Sequence, residues 1–561
     1  MEVVVFLCVL VVFVIGFYIK GMVDFRQRLK QFEQRLRTEY GYPRTNTELP
    51  DRYVHIGKYC EKHVKPYAVD DITWNDLNMD KLYQRINYAH SSCGEEYLYY
   101  RLRCPDMSAG EECLHADEEA MIAYLQEHED ERVRLQMMFA QIGYTGKYSL
   151  YQYLDFLDNL GERRNGKHYL GLALYAVAAL FAVLVEPSVG LALFIILMIY
   201  QIATYLKEHS EDEPYLVSFA FILRFIAGVE TLTEKPSEGL ESYVSEMADN
   251  VKSLRPITRH AFFLSKANTL QGDLMSSLMD YLKTITHINL ISFNSMLSAV
   301  RKSKKEIDLL YTQAGYLEYL LVVGEYRKSL SHYCIPQFQE AGGFSCAKLY
   351  HPLIEQPVPC SFSAKSGVLV TGSNASGKST FLKSVALNAI LAQSMHTVLA
   401  ESCETSYCRV YSSMALRDDL DSGESYYMVE IRALKRILDA AKDKEAGPVF
   451  CFIDEVLRGT NTVERIAAST QIMKYFAESG VRCFAATHDI ELSHLLEAEY
   501  DNYHFEEDVS DGDIHFNYEL RSGRATTRNA IRLLEIMGYQ EQIIERAEQL
   551  AERFVATGVW Q

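Results

Sequence analysis

The segment GVLVTGSNASGKSTFLKSVALNAILAQ, residues 367–393, constrains the fold of this chain more than any other. A short β-type run stops at Thr371, a loop of small residues follows between Gly372 and Gly377, and a long helical pattern starts at once. That order sets a helix N-terminus, with its unpaired N–H groups, directly beyond the end of a strand. From about residue 344, further β-type runs, VFCFIDE at 449–455 and CFAATHDIEL at 483–492, alternate with helical stretches. Such alternation predicts an α/β unit with a mostly parallel sheet.

The loop fits G-x-x-x-x-G-K-[ST], a pattern whose chemistry is phosphate binding. Over Gly372, Ser373, Asn374, Ala375, Ser376, Gly377, Lys378, Ser379 and Thr380, the glycines let successive N–H groups turn toward phosphate oxygens. Lys378 would reach the β and γ oxygens and Ser379 would place a hydroxyl on Mg²⁺, so ATP and Mg²⁺ are the expected ligands. VFCFIDE ends in Asp454 and Glu455, which can divide the work: Asp454 on the metal, Glu455 orienting or deprotonating the attacking water. A carboxylate pair at a strand end can also be merely a helix cap. His488, just past the end of the third strand, falls at the edge where open α/β sheets take ligands, placed to sense the γ-phosphate; a structural histidine is the plainer alternative.

Three apolar runs set a second constraint. Residues 3–19, VVVFLCVLVVFVIGFYI, carry no charge and reach the minimum length of a spanning helix. Glu2 precedes the run, while Lys20, Arg26, Arg28, Lys30, Arg35 and Arg37 follow it, the pattern of an uncleaved anchor with its C-terminal side in the cytoplasm. Residues 169–185 and 189–206 form an uncharged pair around a hinge, Glu186-Pro187-Ser188. Arg163, Arg164, Lys167 and Lys207 flank the pair on its outer ends, which predicts a hairpin inserted into a bilayer with both outer ends cytoplasmic. The alternative is a buried helical hairpin in a soluble domain.

The expected organisation is an anchor over 1–20, a charged juxtamembrane helical stalk over 21–69, a helical block over 70–168 and a transmembrane hairpin over 169–206. A second helical block over 207–343, an ATPase domain over 344–525 and C-terminal helices over 526–561 complete it. Helical periodicity is plain in IDLLYTQAGYLEYLLVVGEY, residues 307–326, and the tail reads as two helices joined around Gly538. The acidic FEEDVSDGD, residues 505–513, reads as a solvated hairpin or loop. The ATPase domain is thereby cytoplasmic and the chain multi-pass.

Twelve cysteines without a C-x-x-C pair read as scattered reduced thiols. The net charge of −19 confines any nucleic-acid surface to a local patch, since backbone binding draws on Lys and Arg.

These motifs, in this order, resemble the ATPase domain of the MutS family of DNA mismatch-repair proteins. TGSNASGKST resembles the family's TGPNMGGKST, DEVLRGTNT resembles DELGRGTST, and AATHDIEL resembles FATHYHEL. DDLDSGESYYMVEI, residues 418–431, resembles DDLASGRSTFMVEM, the segment that in the family reaches across a dimer to the partner's nucleotide. The resemblance makes Ser425 the trans-acting residue, although Tyr426 and Tyr427 replace Thr-Phe. Residues 332–355 resemble the junction into that domain, 74–105 more loosely the start of a core or lever domain, and 526–550 the closing helices that support dimerisation. Phe338-Gln339-Glu340 matches the family's mismatch-reading Phe-x-Glu in letters but falls in the junction, and is read as structural. Neither the mismatch-reading domain nor the Smr nuclease domain is expected in this chain.

The resemblance implies a P-loop ATPase, ABC-like with a mostly parallel sheet, that follows a mainly helical lever domain, works as a homodimer and binds mismatched or structured DNA in a repair-related role. The alternative is an ATP-switched membrane scaffold, or a remodelling or transport-like ATPase, that acts without DNA. No LSGGQ-type signature precedes VFCFIDE.

Overall fold

A computed structural model describes residues 2–44, 49–107, 112–212, 215–234, 239–259, 284–339, 343–373, 376–414, 426–458, 460–510, 513–525, 531, 534 and 537–557. The chain is rich in helix, and among the described residues two sheets lie in its C-terminal half.

Helix α1 (Glu2–Thr38) runs without a break through both the expected anchor and the start of the stalk. No proline interrupts it, and Arg37 pairs with Glu33 one turn earlier at 3.1 Å. Its far end packs on the helical block, where Leu36 is buried and Arg37 reaches Asp130 at 2.8 Å.

That block is built from α2 (Lys58–Lys62), α3 (Asp71–Asp76), α4 (Met79–Ile86), α5 (Ser92–Arg103), α6 (Glu112–Glu127), α7 (Glu129–Ile142) and α8 (Leu150–Asn159). After the hairpin come α11 (Leu216–Glu234), α12 (Glu241–Ser253), α13 (Arg255–Thr258), α14 (Ile288–Lys302) and α15 (Lys304–Ser329). The spine is α15, buried continuously from Leu317 to Arg327. Helix α5 lies against it so closely that a Cβ on Gly315 would sit 2.8 Å from the Cys93 carbonyl oxygen. Glu318 of α15 accepts the N–H groups of His90, Ser91 and Gly94, satisfying the N-terminus of α5 from outside.

Between the two halves of this block stand α9 (Gly166–Leu184) and α10 (Pro187–Asp212). They turn at Val185 and Glu186, and Gly190 permits contact with the backbone of Ala182, 2.4 Å from where a Cβ would stand. Only 17% of the apolar stretch of each helix is buried. Helix α11 is also long and apolar enough to span a bilayer, yet 44% of its apolar stretch is buried. Phe219, Ile222, Phe225, Ile226, Val229 and Leu232 form its core-facing stripe, so its hydrophobicity serves packing.

In the C-terminal half, β1 (Gln337–Phe338), β2 (Phe344–Leu349), β3 (Cys360–Ala364) and β5 (Ser402–Thr405) form a small sheet in the order β1-β5-β2-β3. Phe338 stacks on Tyr407 with ring centroids 4.1 Å apart, a packing role that suits the structural reading of this position. The larger sheet has the order β10-β9-β4-β8-β7-β6, from β4 (Gly367–Thr371), β6 (Arg409–Ser413), β7 (Val449–Asp454), β8 (Arg482–Thr487), β9 (Tyr500–Ser510) and β10 (Asp513–Ser522). All its pairings are parallel except β9-β10, the hairpin that the acidic segment forms. Register aligns Thr371 with Thr487 and Asp454 with Ala486, so β4, β7 and β8 end at one edge.

The connecting helices are α16 (Lys378–Met395), α17 (Tyr426–Lys442), α18 (Thr462–Glu478) and α19 (Ile490–Leu495), and the chain closes with α20 (Glu541–Thr557). Gly538, at φ +77°, turns the chain before α20; most of the helix expected ahead of it lies outside the described residues. The helical block holds this half at two joints. The Tyr67 hydroxyl donates to Val410 O and accepts the Val410 N–H, and Asp76 accepts from Ser412 Oγ at 2.7 Å. Arg101 Nε and Arg327 Nη2 donate to the carbonyls of Ser394 and His396 at the end of α16, at 3.2 and 2.9 Å.

Candidate functional site

Gly372 follows β4 at φ +147° and Gly377 precedes α16 at φ +110°, conformations that side chains rarely adopt. A Cβ on Gly372 would also meet the Phe505 carbonyl oxygen at 2.9 Å. Ser376, just before Gly377, is buried, and its Oγ has no partner among the described residues. Lys378 Nζ donates to the carbonyl oxygens of Gly372 and Ser373 at 2.9 and 2.6 Å. The ammonium thus lies inside the loop, where phosphate oxygens can take the place of those carbonyls.

Ser379 Oγ donates to Asp454 Oδ2 at 2.6 Å, joining the first turn of α16 to the end of β7. A hydroxyl beside a carboxylate at a strand edge is an all-oxygen donor set, of the kind Mg²⁺ takes. Glu455 continues the β7-β8 ladder through its N–H to Ala486 O at 2.9 Å, then turns left-handed at φ +64°. Leu457 is left-handed too, at φ +57°. Glu430 of α17 holds this turn by accepting the N–H groups of Leu457 and, at 3.3 Å, Arg458.

The turn aims the Glu455 carboxylate between an imidazole and a guanidinium. His488 Nε2 lies 2.8 Å from Glu455 Oε1, and Arg458 Nε bonds the other oxygen. His488 holds the Glu455 carboxyl down to about 2, and Arg458 adds to the effect while partial burial opposes it. His488 Nδ1 lies 3.0 Å from Gly372 O, so the imidazole bridges the phosphate loop and the carboxylate. Asp489, next in the chain, is gripped by Arg465 of α18 through two bonds of 2.9 and 2.7 Å.

These groups surround a cleft of about 480 Å³. Ser376, Gly377, Lys378, Ser379, Thr380, Asp454, Glu455 and His488 line one side, and His351, Ile354 and Val358 line another. Phe505 and Tyr518 of the β9-β10 hairpin close it over Gly377, where a Cβ would meet the Tyr518 ring at 3.3 Å. The expected site residues Gly372, Ser373, Ser376–Thr380, Asp454, Glu455 and His488 therefore meet at one sheet edge. Asn374, Ala375 and Ser425 lie outside the described residues.

Residues 368–555 match the MutS domain V family model. This C-terminal segment belongs to the MutS domain V family. Among curated relatives, it is 34% identical over 186 residues to a DNA mismatch repair protein MutS 2 of Haloarcula marismortui, covering 32% of this chain and 19% of that protein. It is 30% identical over 262 residues to the DNA mismatch repair protein MutS of Thermus thermophilus, with 46% and 32% covered. For the DNA mismatch repair protein MutS of Exiguobacterium the figures are 29% over 298 residues, 51% and 32%. The chain thus aligns with less than a third of the length of each of these relatives.

Four contributors in and around the cleft carry no assignment from sequence: Arg458, Glu430, the Arg465–Asp489 pair and Tyr518. Arg458 and Glu430 stand inside quoted motifs, but Arg458 meets Glu455 through the local shape of the turn after β7, and Glu430 reaches that turn from α17. For Tyr518 the sequence offers only its place in a hairpin strand.

Proposed function

We propose that this protein is a membrane-embedded ATPase of the MutS family that hydrolyses ATP at composite sites in a homodimer. The observation that carries the reading is the convergence of Lys378, Ser379, Asp454, Glu455 and His488 on one cleft. Lys378, released from the Gly372 and Ser373 carbonyls, neutralises the β and γ oxygens, with the N–H groups of the glycine-bounded loop around them. Ser379 and Asp454 would hold Mg²⁺, which supplies charge neutralisation on the phosphates. Glu455 orients the attacking water and takes its proton, while His488 holds the carboxylate and reads the γ-phosphate end of the loop. With the contacts from His488 and Arg458 in place Glu455 is a weak base, so release of the Arg458 contact would strengthen it. Ser425 is assigned to the partner's nucleotide by resemblance alone.

The exposed α9–α10 hairpin supports bilayer insertion with the nucleotide site on the cytoplasmic side, and residues 3–19 of α1 are assigned to the same bilayer. DNA is the proposed substrate because the relatives are named for mismatch repair. The net charge of −19 favours a second reading, an ATP-switched membrane scaffold or remodelling ATPase that binds no DNA.

Purified full-length Lys378→Ala should lose ATP turnover by at least about a hundredfold. Full activity in that variant would refute the site. A gel-shift titration over salt, with homoduplex, mismatched and branched DNA, separates the two readings. Binding that weakens steeply with salt supports DNA; absence of binding at low salt leaves the scaffold.

A further inference from the structure

Away from the nucleotide cleft, two thiols face each other. Cys60 Sγ of α2 lies 3.4 Å from Cys104 Sγ, the residue that caps the C-terminus of α5. Closing the gap by roughly 1.4 Å reaches the length of a disulfide bond. Both sulfurs border an open basin of about 630 Å³, whose wall includes Trp74, Tyr99 and Arg103. Cys60 is half-exposed, whereas Cys104 is buried. The pair sits beside a joint with the nucleotide half, for the Asp106 N–H donates to Gln393 O of α16 at 3.3 Å.

We propose that Cys60 and Cys104 are a redox modification site, oxidised by a hydroperoxide to a reversible intrachain disulfide. Cys104 is the attacking thiolate. The hydrogen bond from Cys60 holds its ionisation below that of an ordinary thiol, helped by the Lys65 N–H and the charges of Lys65 and Arg103, against the opposing effect of burial. Cys60, raised by the same contact and by burial, remains protonated. The Cys104 thiolate attacks one peroxide oxygen; the O–O bond breaks, the alcohol or water leaves with a proton, and Cys104 becomes a sulfenic acid. Cys60 sulfur then attacks that sulfur, and its proton departs with the hydroxide as water. Two thiols are oxidised by two electrons and one hydroperoxide is reduced. Among the other described cysteines, Cys346 and Cys403 oppose one another across β2 and β5, and Cys451 and Cys483 across β7 and β8, but all four are buried.

The test is thiol mapping of the full-length protein in detergent after brief treatment with hydrogen peroxide and quenching with N-ethylmaleimide. Digestion with trypsin and a glutamate-specific protease separates Cys104 from Cys113, because Glu111 and Glu112 lie between them. The expected product is a Cys60–Cys104 linked peptide that dithiothreitol reverses and that forms at least about tenfold faster than Cys408 or Cys483 is lost. Cys60→Ser should abolish the link and leave Cys104 as a sulfenic acid trapped by dimedone. Cys334→Ser should leave the linked yield unchanged. The proposal is overturned if the native protein gives no link, if the link needs denaturant, or if Cys104 in Cys60→Ser resists both peroxide and dimedone.

Discussion

Membrane insertion of α9 and α10 can be tested by placing charge at mid-depth. Helix α9 has 19 residues, about 28 Å at 1.5 Å per residue, and the apolar part of α10 has 22, about 33 Å, against a hydrocarbon core of about 30 Å. Val177, Leu180, Val183, Leu184, Leu191, Ile196 and Ile199 each leave between 59% and 80% of their surface uncovered. At roughly 2 kcal/mol for a fully buried side chain, lipid around these seven contributes roughly 9 kcal/mol. Val177 and Ile196 fall near the middle of their helices, and an arginine there costs about 3 kcal/mol each, about 6 kcal/mol for the pair. That removes most of the gain and changes partitioning by a factor of about 10⁴.

The assay is flotation of alkaline-washed membranes, in a background lacking residues 3–19 so that α1 cannot hold the protein down. The parent should float with the membranes, and the version carrying Val177→Arg and Ile196→Arg should be released or degraded. Val463→Arg, at a site 80% exposed on α18, should change nothing. If the parent is soluble and monodisperse without detergent, or if the two arginines leave flotation untouched, the bilayer reading of the hairpin is wrong.

Glu455→Gln keeps a neutral acceptor between His488 and Arg458 but removes the base, so turnover should fall about 10²- to 10⁴-fold with ATP binding retained, measured by single-turnover hydrolysis beside equilibrium binding. Arg327→Met breaks a buried pair with Glu119 at 2.6 Å and frees the carbonyls at the end of α16; a loss of about 3 kcal/mol or more in urea unfolding is expected. Burial lifts the Glu96 carboxyl to about 8, against hydrogen bonds from Ser149 and Tyr311. Its neutral form is the one the fold favours, so its contribution is complete below the unfolded carboxyl range near pH 4.5 and is lost as pH rises through about 8. The melting temperature should therefore fall more between pH 6 and pH 9 in the wild type than in Glu96→Gln.

The phosphate loop, the β7 carboxylates and His488 were legible because each rests on a short local pattern, and the parallel register brings their strand ends together without further information. The partners that set their chemistry were not. Arg458 meets Glu455 only because Glu455 and Leu457 turn left-handed, a conformation neither residue type advertises and which Glu430 sustains from another helix. Charge begins at Lys20, where the expected anchor gives way to the stalk, while backbone hydrogen bonding is indifferent to that change and α1 crosses it. In α11 the error available to a hydropathy reading runs the other way: composition admits a span, and the aromatic stripe against the helical block makes it a core helix.

The arrangement also limits how a nucleotide could act on the hairpin. His287, which precedes α14, bonds Gln201 O of α10 at 2.8 Å and lies 2.9 Å from His168 of α9, while α15 follows α14 after Ser303 and fixes the far end of α16 through Arg327. Spatial continuity of this kind is not yet coupling, which needs an element with two arrangements that both ends can bias. The candidates for such an element lie at the other end of α16. Lys378 can exchange two backbone carbonyls for phosphate, and Glu455 can exchange Arg458 for water. With its C-terminal carbonyls clamped by Arg101 and Arg327, α16 cannot absorb a shift at Lys378 by sliding alone; it must tilt about that clamp or pull α5 and α15 with it. Freeing the clamp with Arg327→Met should therefore leave ATP binding intact while removing any dependence of turnover on lipid, and lipid-dependent turnover that survives the substitution would place the coupling elsewhere.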